Sequence, residues 1–343
     1  MRIGDICVYA PKSQIKAGEA VEGAKYMFFT SGADENKRYC DYQLEGEGII
    51  MGTGGNATLH YYSGKYAVST DCVVLMPDEI VRCKYLYYFF KANINVLEAG
   101  FKGAGLRHTN KKYIDDIIIK NIPGYDEQDK IIRTLDKLQD IVDKRNHELC
   151  LLDSLIKARF VEMFGDPVNN SKDLETNKLK NVLTLKAGDF TDASEITETQ
   201  TEDNIYPCYG GNGIRGYVKE YNHDGDYSLI GRQGALSGNV QFANGKFKNT
   251  EHALLVTPLI DTNSIWLYNL LQNLNLKRYQ TGAAQPGISI KNLQEIDIIS
   301  VSINKQNQFA DFVKQVDKSK LAVQESLEKT QQLFDSLMQE YFG

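Results

Sequence analysis

Two stretches of the chain carry apolar residues in alternating steps of four and three. From Asp126 to about Phe164 they fall at Ile131, Leu135, Leu138, Val142, Leu149, Leu152, Ile156 and Met163, with Arg145 and Arg159 in the two remaining seam positions. From about Lys305 to Tyr341 they fall at Phe309, Val313, Val316, Val323, Leu327, Phe334, Leu337 and Tyr341, with Lys320 and Thr330 as polar breaks. A heptad sustained this far predicts coiled-coil packing rather than a surface helix. At 1.5 Å per residue each helix should run about 55–60 Å. Asp126 and Asp129 suit the positive end of the first helix, and Gly165-Asp166-Pro167 stops it.

Elsewhere the pattern is that of short strands and packed helices. Gly48-Ile49-Ile50-Met51-Gly52 and Asp71-Cys72-Val73-Val74-Leu75-Met76 are apolar runs bounded by turn residues, as buried strands require. Residues 84–99 are long enough and free enough of Gly and Pro to form a helix, and Ile117-Ile118-Ile119 predicts a closing strand before Pro123-Gly124. Later in the chain Ser228-Leu229-Ile230 and Ala253-Leu254-Leu255-Val256 predict strands, and residues 265–276 a helix.

The order of elements is stated twice, about 180 residues apart. Gly64-Lys65-Tyr66 is echoed by Gly245-Lys246-Phe247, Tyr85-Leu86-Tyr87 by Trp266-Leu267-Tyr268, and Leu152-Asp153-Ser154-Leu155 by Phe334-Asp335-Ser336-Leu337. The expectation is an α+β chain with a pseudo-two-fold internal repeat: a head over 1–125, a long helix over 126–166, a second head over 167–303 and a distal helix over 304–343. Packing the two seams on each other in antiparallel fashion is the simplest way to satisfy both; separate oligomers for each helix are the alternative. Leu337 meets Phe342-Gly343 four residues sooner than Leu155 meets Phe164-Gly165. Four residues is about one helical turn, or roughly 6 Å.

Composition narrows the class. With 343 residues, 42% hydrophobic and 24% charged, this is an ordinary globular protein of two or three domains. No apolar run approaches the roughly 18 residues of a membrane span, and the N-terminus lacks the apolar stretch of a signal peptide, so a cytoplasmic location is expected. Six cysteines without a CxxC pair argue against a disulfide scaffold or zinc site. The net charge of −6 counts mildly against a nucleic-acid partner, although acidic helices can lie apart from a local basic face.

Catalytic constellations are missing. The five histidines form no metal-ligand spacing, and Gly52-Thr53-Gly54-Gly55 lacks the rest of a phosphate loop. There is no Pro-Pro for the loop of an amino-methylating DNA enzyme, and no Glu-x-Lys follows Pro77-Asp78-Glu79. No catalytic residue and no metal ligand is assigned; the chain reads as a recognition part.

The residues suited to recognition cluster in glycine-rich loops. In the second head, Tyr209, Asn212 and Arg215 lie in Tyr209-Gly210-Gly211-Asn212-Gly213-Ile214-Arg215, and Arg232, Gln233 and Ser237 in Gly231-Arg232-Gln233-Gly234-Ala235-Leu236-Ser237-Gly238. Glycine lets a backbone approach a partner closely, and Asn, Gln and Arg can make bidentate contacts to purine edges. Lys246, Lys248, Lys277 and Arg278 add positive charge there. The first head offers Thr53, Gly55 and Asn56, with Lys102, Arg107, His108, Lys111 and Lys112 able to neutralise phosphates. Tight hairpins with solvated polar tips are the plainer explanation of each loop; their recurrence in both heads favours a shared task.

Several of these segments resemble a known family. Tyr209-Gly210-Gly211-Asn212-Gly213, Gly231-Arg232-Gln233-Gly234-Ala235, Gly245-Lys246-Phe247, Thr250-Glu251-His252-Ala253 and Gly282-Ala283-Ala284-Gln285-Pro286-Gly287-Ile288 are similar to a target-recognition domain of type I restriction-modification specificity subunits, as is Leu155 to Pro167. The first head departs from the pattern: Gly103-Ala104-Gly105-Leu106-Arg107 has no Gln-Pro, and Ser69-Thr70-Asp71-Cys72 stands against Asn249-Thr250-Glu251-His252.

The resemblance implies two target-recognition domains separated by two long antiparallel coiled-coil helices. Each domain would read one half of a bipartite double-stranded DNA target, with Gln285 added to the contacts of the second. The helices, through Leu135, Leu138, Val142, Leu149, Leu152, Val316, Val323, Leu327 and Phe334, would set the unread spacer and dock two methyltransferase subunits. Those subunits would bring S-adenosylmethionine and methylate adenine N6. Restriction subunits would bring ATP and Mg. A two-headed coiled-coil scaffold for protein or glycan ligands is the alternative; binding that falls steeply with salt would separate them.

Overall fold

The structure is a computed structural model and describes residues 1–32, 34, 36–105, 107–282 and 286–343. The chain divides into two compact units, Met1–Asn146 with Glu325–Gly343, and His147–Gln324. Each long helix therefore contributes to both units, and the units are described in turn.

The first unit holds one six-stranded sheet. Its strands are β1 (Cys7–Tyr9), β2 (Tyr26–Phe29), β3 (Arg38–Tyr39), β4 (Leu44–Gly52), β5 (Leu59–Val68) and β6 (Cys72–Pro77), in the order β1-β6-β4-β5-β2-β3. Pairing is antiparallel except between β2 and β5. Alternation along β4 sends Ile49 and Met51 to one core with Leu75, and Ile50 to another with Phe29, Tyr66 and Val74. With both faces covered, β4 reads as a continuous apolar run.

Helix α1 (Cys83–Ala92) covers the first of these faces through Tyr85, Leu86, Phe89 and Phe90. The helix expected over 84–99 breaks at Asn93, whose Nδ2 donates to the Phe89 carbonyl (3.0 Å), and resumes as α2 (Ile94–Glu98). After α3 (Lys111–Asp115), the expected closing strand at Ile117–Ile119 is reduced to a bridge between Ile118 and Arg2. Long helix α4 (Tyr125–Phe164) follows.

The second unit starts with β7 (Thr176–Lys178), α5 (Leu179–Val182) and β8 (Leu183–Ala187). Then come β9 (Tyr206–Gly210), β10 (Gly213–Val218), β11 (His223–Asp224), β12 (Tyr227–Gly231), β13 (Val240–Ala243), β14 (Lys246–Asn249) and β15 (Ala253–Pro258). Helices α6 (Ser264–Asn273) and α7 (Ile290–Gln294), strand β16 (Asp297–Ile299) and the long α8 (Ile303–Phe342) complete the chain. Two four-stranded sheets form, β13-β12-β15-β8 and β10-β9-β14-β11, and β7 pairs with β16.

Register shows how the heads correspond. Met51 faces Leu59 where Ile230 faces Val240, and Gly52 faces Cys72 where Gly231 faces Ala253. The first unit's continuous β5 thus corresponds to β13 and β14 together. In the second unit the strand is interrupted at Asn244-Gly245, where Gly245 has φ +67°, and one sheet becomes two. The same register aligns Asp71 with His252, one place from the pairing that the bare sequences suggest.

Within each unit the long helices run antiparallel. In the second, Phe160 and Phe164 pack on Phe309 (5.4 and 5.7 Å between rings), while Lys320 reaches Asp153 (2.6 Å). In the first, α1 mediates: Arg82 meets Asp129 and Lys91 meets Gln139, whereas Tyr85 meets Phe342 and Tyr88 meets Phe334. Leu135, Val142, Val316, Val323 and Phe334 are buried, whereas Leu138, Leu149, Leu152 and Leu327 are half-buried.

The heptad drifts at both helix ends. Phe160 and Phe164, and their equivalents Met338 and Phe342, are buried in steps of four, while Arg159, Met163, Leu337 and Tyr341 are only partly so. An undistorted helix turns every 3.6 residues, so a strict 3.5-residue seam rotates away from its core. Both helices span 40 residues, each ending in Phe-Gly. The four-residue offset between Leu155 and Leu337 is therefore not a difference in helix length: the Asp-Ser-Leu echo is out of step with the structural repeat.

A buried glutamine fastens each helix to its head. Gln128 accepts from the Arg82 backbone N–H (2.7 Å) and donates to Ile80 and Pro123 carbonyls (3.2 and 2.8 Å). Gln306 accepts from the Asn263 N–H (2.9 Å) and donates to the Val301 carbonyl (2.9 Å). Arg82 and Asn263 are the N-caps of α1 and α6. In both places a long-helix side chain satisfies a helix-terminal donor that would otherwise be orphaned.

Candidate nucleic-acid interface

In each unit the strand after the sheet's centre ends in a pinched glycine. A Cβ on Gly52 would stand 2.8 Å from Ser31 Cα, and one on Gly231 only 2.0 Å from the Gly211 carbonyl oxygen. Such approaches exclude any side chain. The loops that leave these glycines, 53–58 and 232–239, are each held by a second loop, 102–109 and 281–288.

The two junctions are bonded alike. Thr109 N–H donates to the Thr53 carbonyl (3.1 Å), as Ile288 does to Arg232 (2.9 Å). Gly55 N–H donates to Arg107 (2.9 Å), as Gly234 does to Pro286 (2.8 Å). Lys102 and His108 exchange both backbone bonds at 3.0 Å, and Thr281 and Gly287 do so at 2.9 Å. Thr53 N–H reaches Asp71, and Arg232 N–H reaches His252 (2.8 and 3.1 Å). Gly55 (φ +85°) and Gly234 (φ +81°) adopt the same left-handed conformation, which requires glycine.

On this common frame the side chains differ. In the first unit Arg107 donates to Asn56 Oδ1 (2.7 Å), so these exposed residues form one polar tip. Thr53 is turned inward, its hydroxyl donating to the Asp71 carbonyl (2.9 Å). Lys102 is exposed beside the paired loop. Lys111 and Lys112 open α3, and Lys111 lies over the Tyr9 ring at 4.3 Å.

In the second unit Gln233 is exposed and Arg232 half-buried. Asn212 accepts from Asn239 Nδ2 (2.9 Å), which joins the β9–β10 turn to the end of the Arg232 loop. Arg215 is exposed with its stem over Gly210, where a Cβ would lie 2.5 Å from Arg215 Cδ. A cleft of about 1230 Å³ borders this loop at Gly238 and Asn239 and continues along Gln241, Asn273 and Lys277.

Three expected contacts are engaged within the fold instead. Ser237 is fully buried and cannot touch a partner; its backbone N–H caps Gly234 and its carbonyl accepts from Gln280. The Tyr209 ring packs on Phe247 (5.6 Å), and burial raises its phenol's pKa. Lys246 stands at the far end of β14, its ammonium over Tyr221 (4.8 Å). Gln285 lies outside the described residues.

The repeat of one bonded frame beneath different side chains is matched by sequence. The pattern of the type I restriction modification DNA specificity domain covers residues 1–150 and again 171–332. The chain belongs to this family. The chain is similar to the EcoprrI specificity subunit of Escherichia coli, 38% identical over 194 residues, which is 55% of this chain and 48% of that protein. The MjaVIII specificity subunit of Methanocaldococcus jannaschii is 26% identical over 167 residues, 45% and 39% of the two chains. The matches thus span about half or less of these relatives' length.

Among solved structures, the S subunit of a type I system from M. genitalium has a TM-score of 0.69 at 17% identity, covering 100% of this chain and 95% of the other. A chain from a structural account of complex assembly in the type I R-M system has a TM-score of 0.54 at 17% identity, covering 100% and 96%. At such identity the likeness is one of fold.

Sequence reasoning overlooked four residues that build the second site or its counterpart. Asn239 orients Asn212; Glu251 and His252 stand behind Gln233; Asp71 occupies the place of His252 in the first domain and accepts from the Ser31 and Ser69 hydroxyls. A one-residue shift in aligning the two domains hid the last correspondence. Among the described residues no group of His, Cys, Asp and Glu could hold a metal ion, and no helix is long and apolar enough to cross a membrane.

Proposed function

We propose that this chain is the DNA-recognition subunit of a type I restriction-modification complex, and that each specificity domain reads one half of a bipartite target. The observation that carries the reading is the duplicated loop junction. A frame kept bond for bond, with Asn56 and Arg107 on one copy and Gln233, Arg232 and Asn212 on the other, suits two sites of one type with separate specificities. Asn, Gln and Arg are the side chains that read purine edges in the major groove.

In this reading the long helices set the unread spacer and dock two adenine-N6 methyltransferase subunits. The buried seam residues hold each helix pair together, so the docking face is assigned instead to exposed apolar residues: Ile141 and Leu333 in the first unit, Leu151, Leu155 and Leu321 in the second. The methyltransferase subunits would bring S-adenosylmethionine, and restriction subunits ATP and Mg. With a chain charge of −6, basic surface on the methyltransferases would supply much of the phosphate neutralisation.

The test is to co-produce the chain with its cognate methyltransferase in an unmethylated host and map N6-methyladenine by single-molecule sequencing. A two-part motif with an unread spacer is expected. A formed complex that leaves the genome unmethylated would refute the reading and favour a scaffold.

A further inference from the structure

We propose that His252 is a positioning residue that decides which end of the Gln233 amide is presented to a base, and that Glu251 holds it in that role. The inference rests on the DNA reading above. His252 Nδ1 lies 2.9 Å from Gln233 Oε1, and its Nε2 lies 3.1 Å from Glu251 Oε1. In this arrangement the two ring nitrogens face two acceptor oxygens, one of the Gln233 amide and one of the Glu251 carboxylate. The amide oxygen of Gln233 is thereby turned to the ring, and its NH2 faces outward. An outward NH2 suits an acceptor on a base edge, such as N7 or O6 of guanine or O4 of thymine.

Two further observations support a dedicated arrangement. The second carboxylate oxygen of Glu251 is buried and has no hydrogen-bond partner among the described residues. Such a group is costly to keep, and the hydrogen bond between its other oxygen and the His252 ring supplies the reason. His252 is also held by its backbone: its carbonyl accepts from Arg232 N–H, and a Cβ on Gly211 would crowd that oxygen at 3.1 Å. The histidine is thus fixed to both residues of the Arg232-Gln233 pair.

The first domain lacks this device. Gly54 stands at the place of Gln233, and Asp71 at that of His252 is engaged with Ser31 and Ser69. Its half-site is therefore an internal control.

The full chain carrying His252→Ala, His252→Asn or His252→Asp would be co-produced with the methyltransferase, its melting temperature measured, and the methylated motifs mapped. With His252→Ala, discrimination at one position of one half-site should fall from about tenfold or more to below about threefold, with the other half-site unchanged. His252→Asn places an amide NH2 near Nδ1 and should keep the wild-type preference. His252→Asp offers only an acceptor, turns the Gln233 amide over, and should shift the preference toward a base that donates. Methylation that falls equally across all sequences and both half-sites in His252→Ala, or an unaltered preference in both His252→Ala and His252→Asp, would overturn the proposal. Wild-type protein that yields no two-part motif would instead remove the DNA reading, and this inference with it.

Discussion

At the scale of single residues, what matters is which polar groups the fold leaves able to meet a partner. Arg232→Ala and Gln233→Ala should each weaken binding of cognate DNA by about 1–3 kcal/mol and relax one half-site, as read in competition binding by the assembled complex. Ser237→Ala should leave specificity intact: its hydroxyl is sealed without a hydrogen-bond partner among the described residues, and removing such a group is near neutral for stability. Asp71 serves the first domain differently. Burial opposes its charge, but hydrogen bonds from Ser31 and Ser69 outweigh that cost and hold its pKa below the usual carboxylate value. A lowered native pKa means the carboxylate stabilises fully above its unfolded value, about 4, and that this is lost as pH falls through the native value. Asp71→Asn should therefore destabilise at neutral pH and flatten the acid limb of a stability-versus-pH curve.

Among elements, the long helices bear most of the load on their drifting ends. Phe160 is fully buried against Phe164 and Phe309, so Phe160→Ala should cost about 3–5 kcal/mol in denaturant unfolding. Arg159→Ala, at the formal heptad position, should cost far less; its ion pair with Glu162 is surface-exposed, worth at most about 1 kcal/mol. The paired glutamines make a sharper case. Gln128→Leu keeps the volume but strips partners from the Arg82 N–H and two carbonyls, each costing about 1–3 kcal/mol if left dry. The heptads were legible because a seam needs only apolar residues at regular spacing. The drift was not, because it depends on where each helix meets its head.

For the molecule as a whole, the two helices have equal length, and a spacer set by them should respond to changes in either. Removing one turn from α4 is expected to shift the unread spacing of the methylated motif, with some loss of stability as the seam is rotated. A motif with its original spacing in such a mutant would end the ruler idea. The repeat also frames the substitution Gly231→Ala: its methyl would strike the Gly211 carbonyl, so about 1–3 kcal/mol or more of overpacking should be seen, with loss of the second half-site alone.

The sequence by itself determined the repeat, the α+β heads and the two seams, because these are written in periodicity and in residue types. It also placed Arg232, Gln233, Asn56 and Arg107 in loops suited to recognition. Only the tertiary structure decided which loop residues face outward. Ser237 and Tyr209 share the composition of the loops around them, yet one is sealed and the other packs on Phe247. The junction between residues 53–58 and 102–109, and its copy, is made of backbone bonds between segments far apart in the chain. Backbone donors and acceptors are the same for nearly every residue, so no local pattern announces such a pairing. The His252–Gln233 contact is hidden for the same reason: strand register brings the two side chains together, and register belongs to the folded sheet.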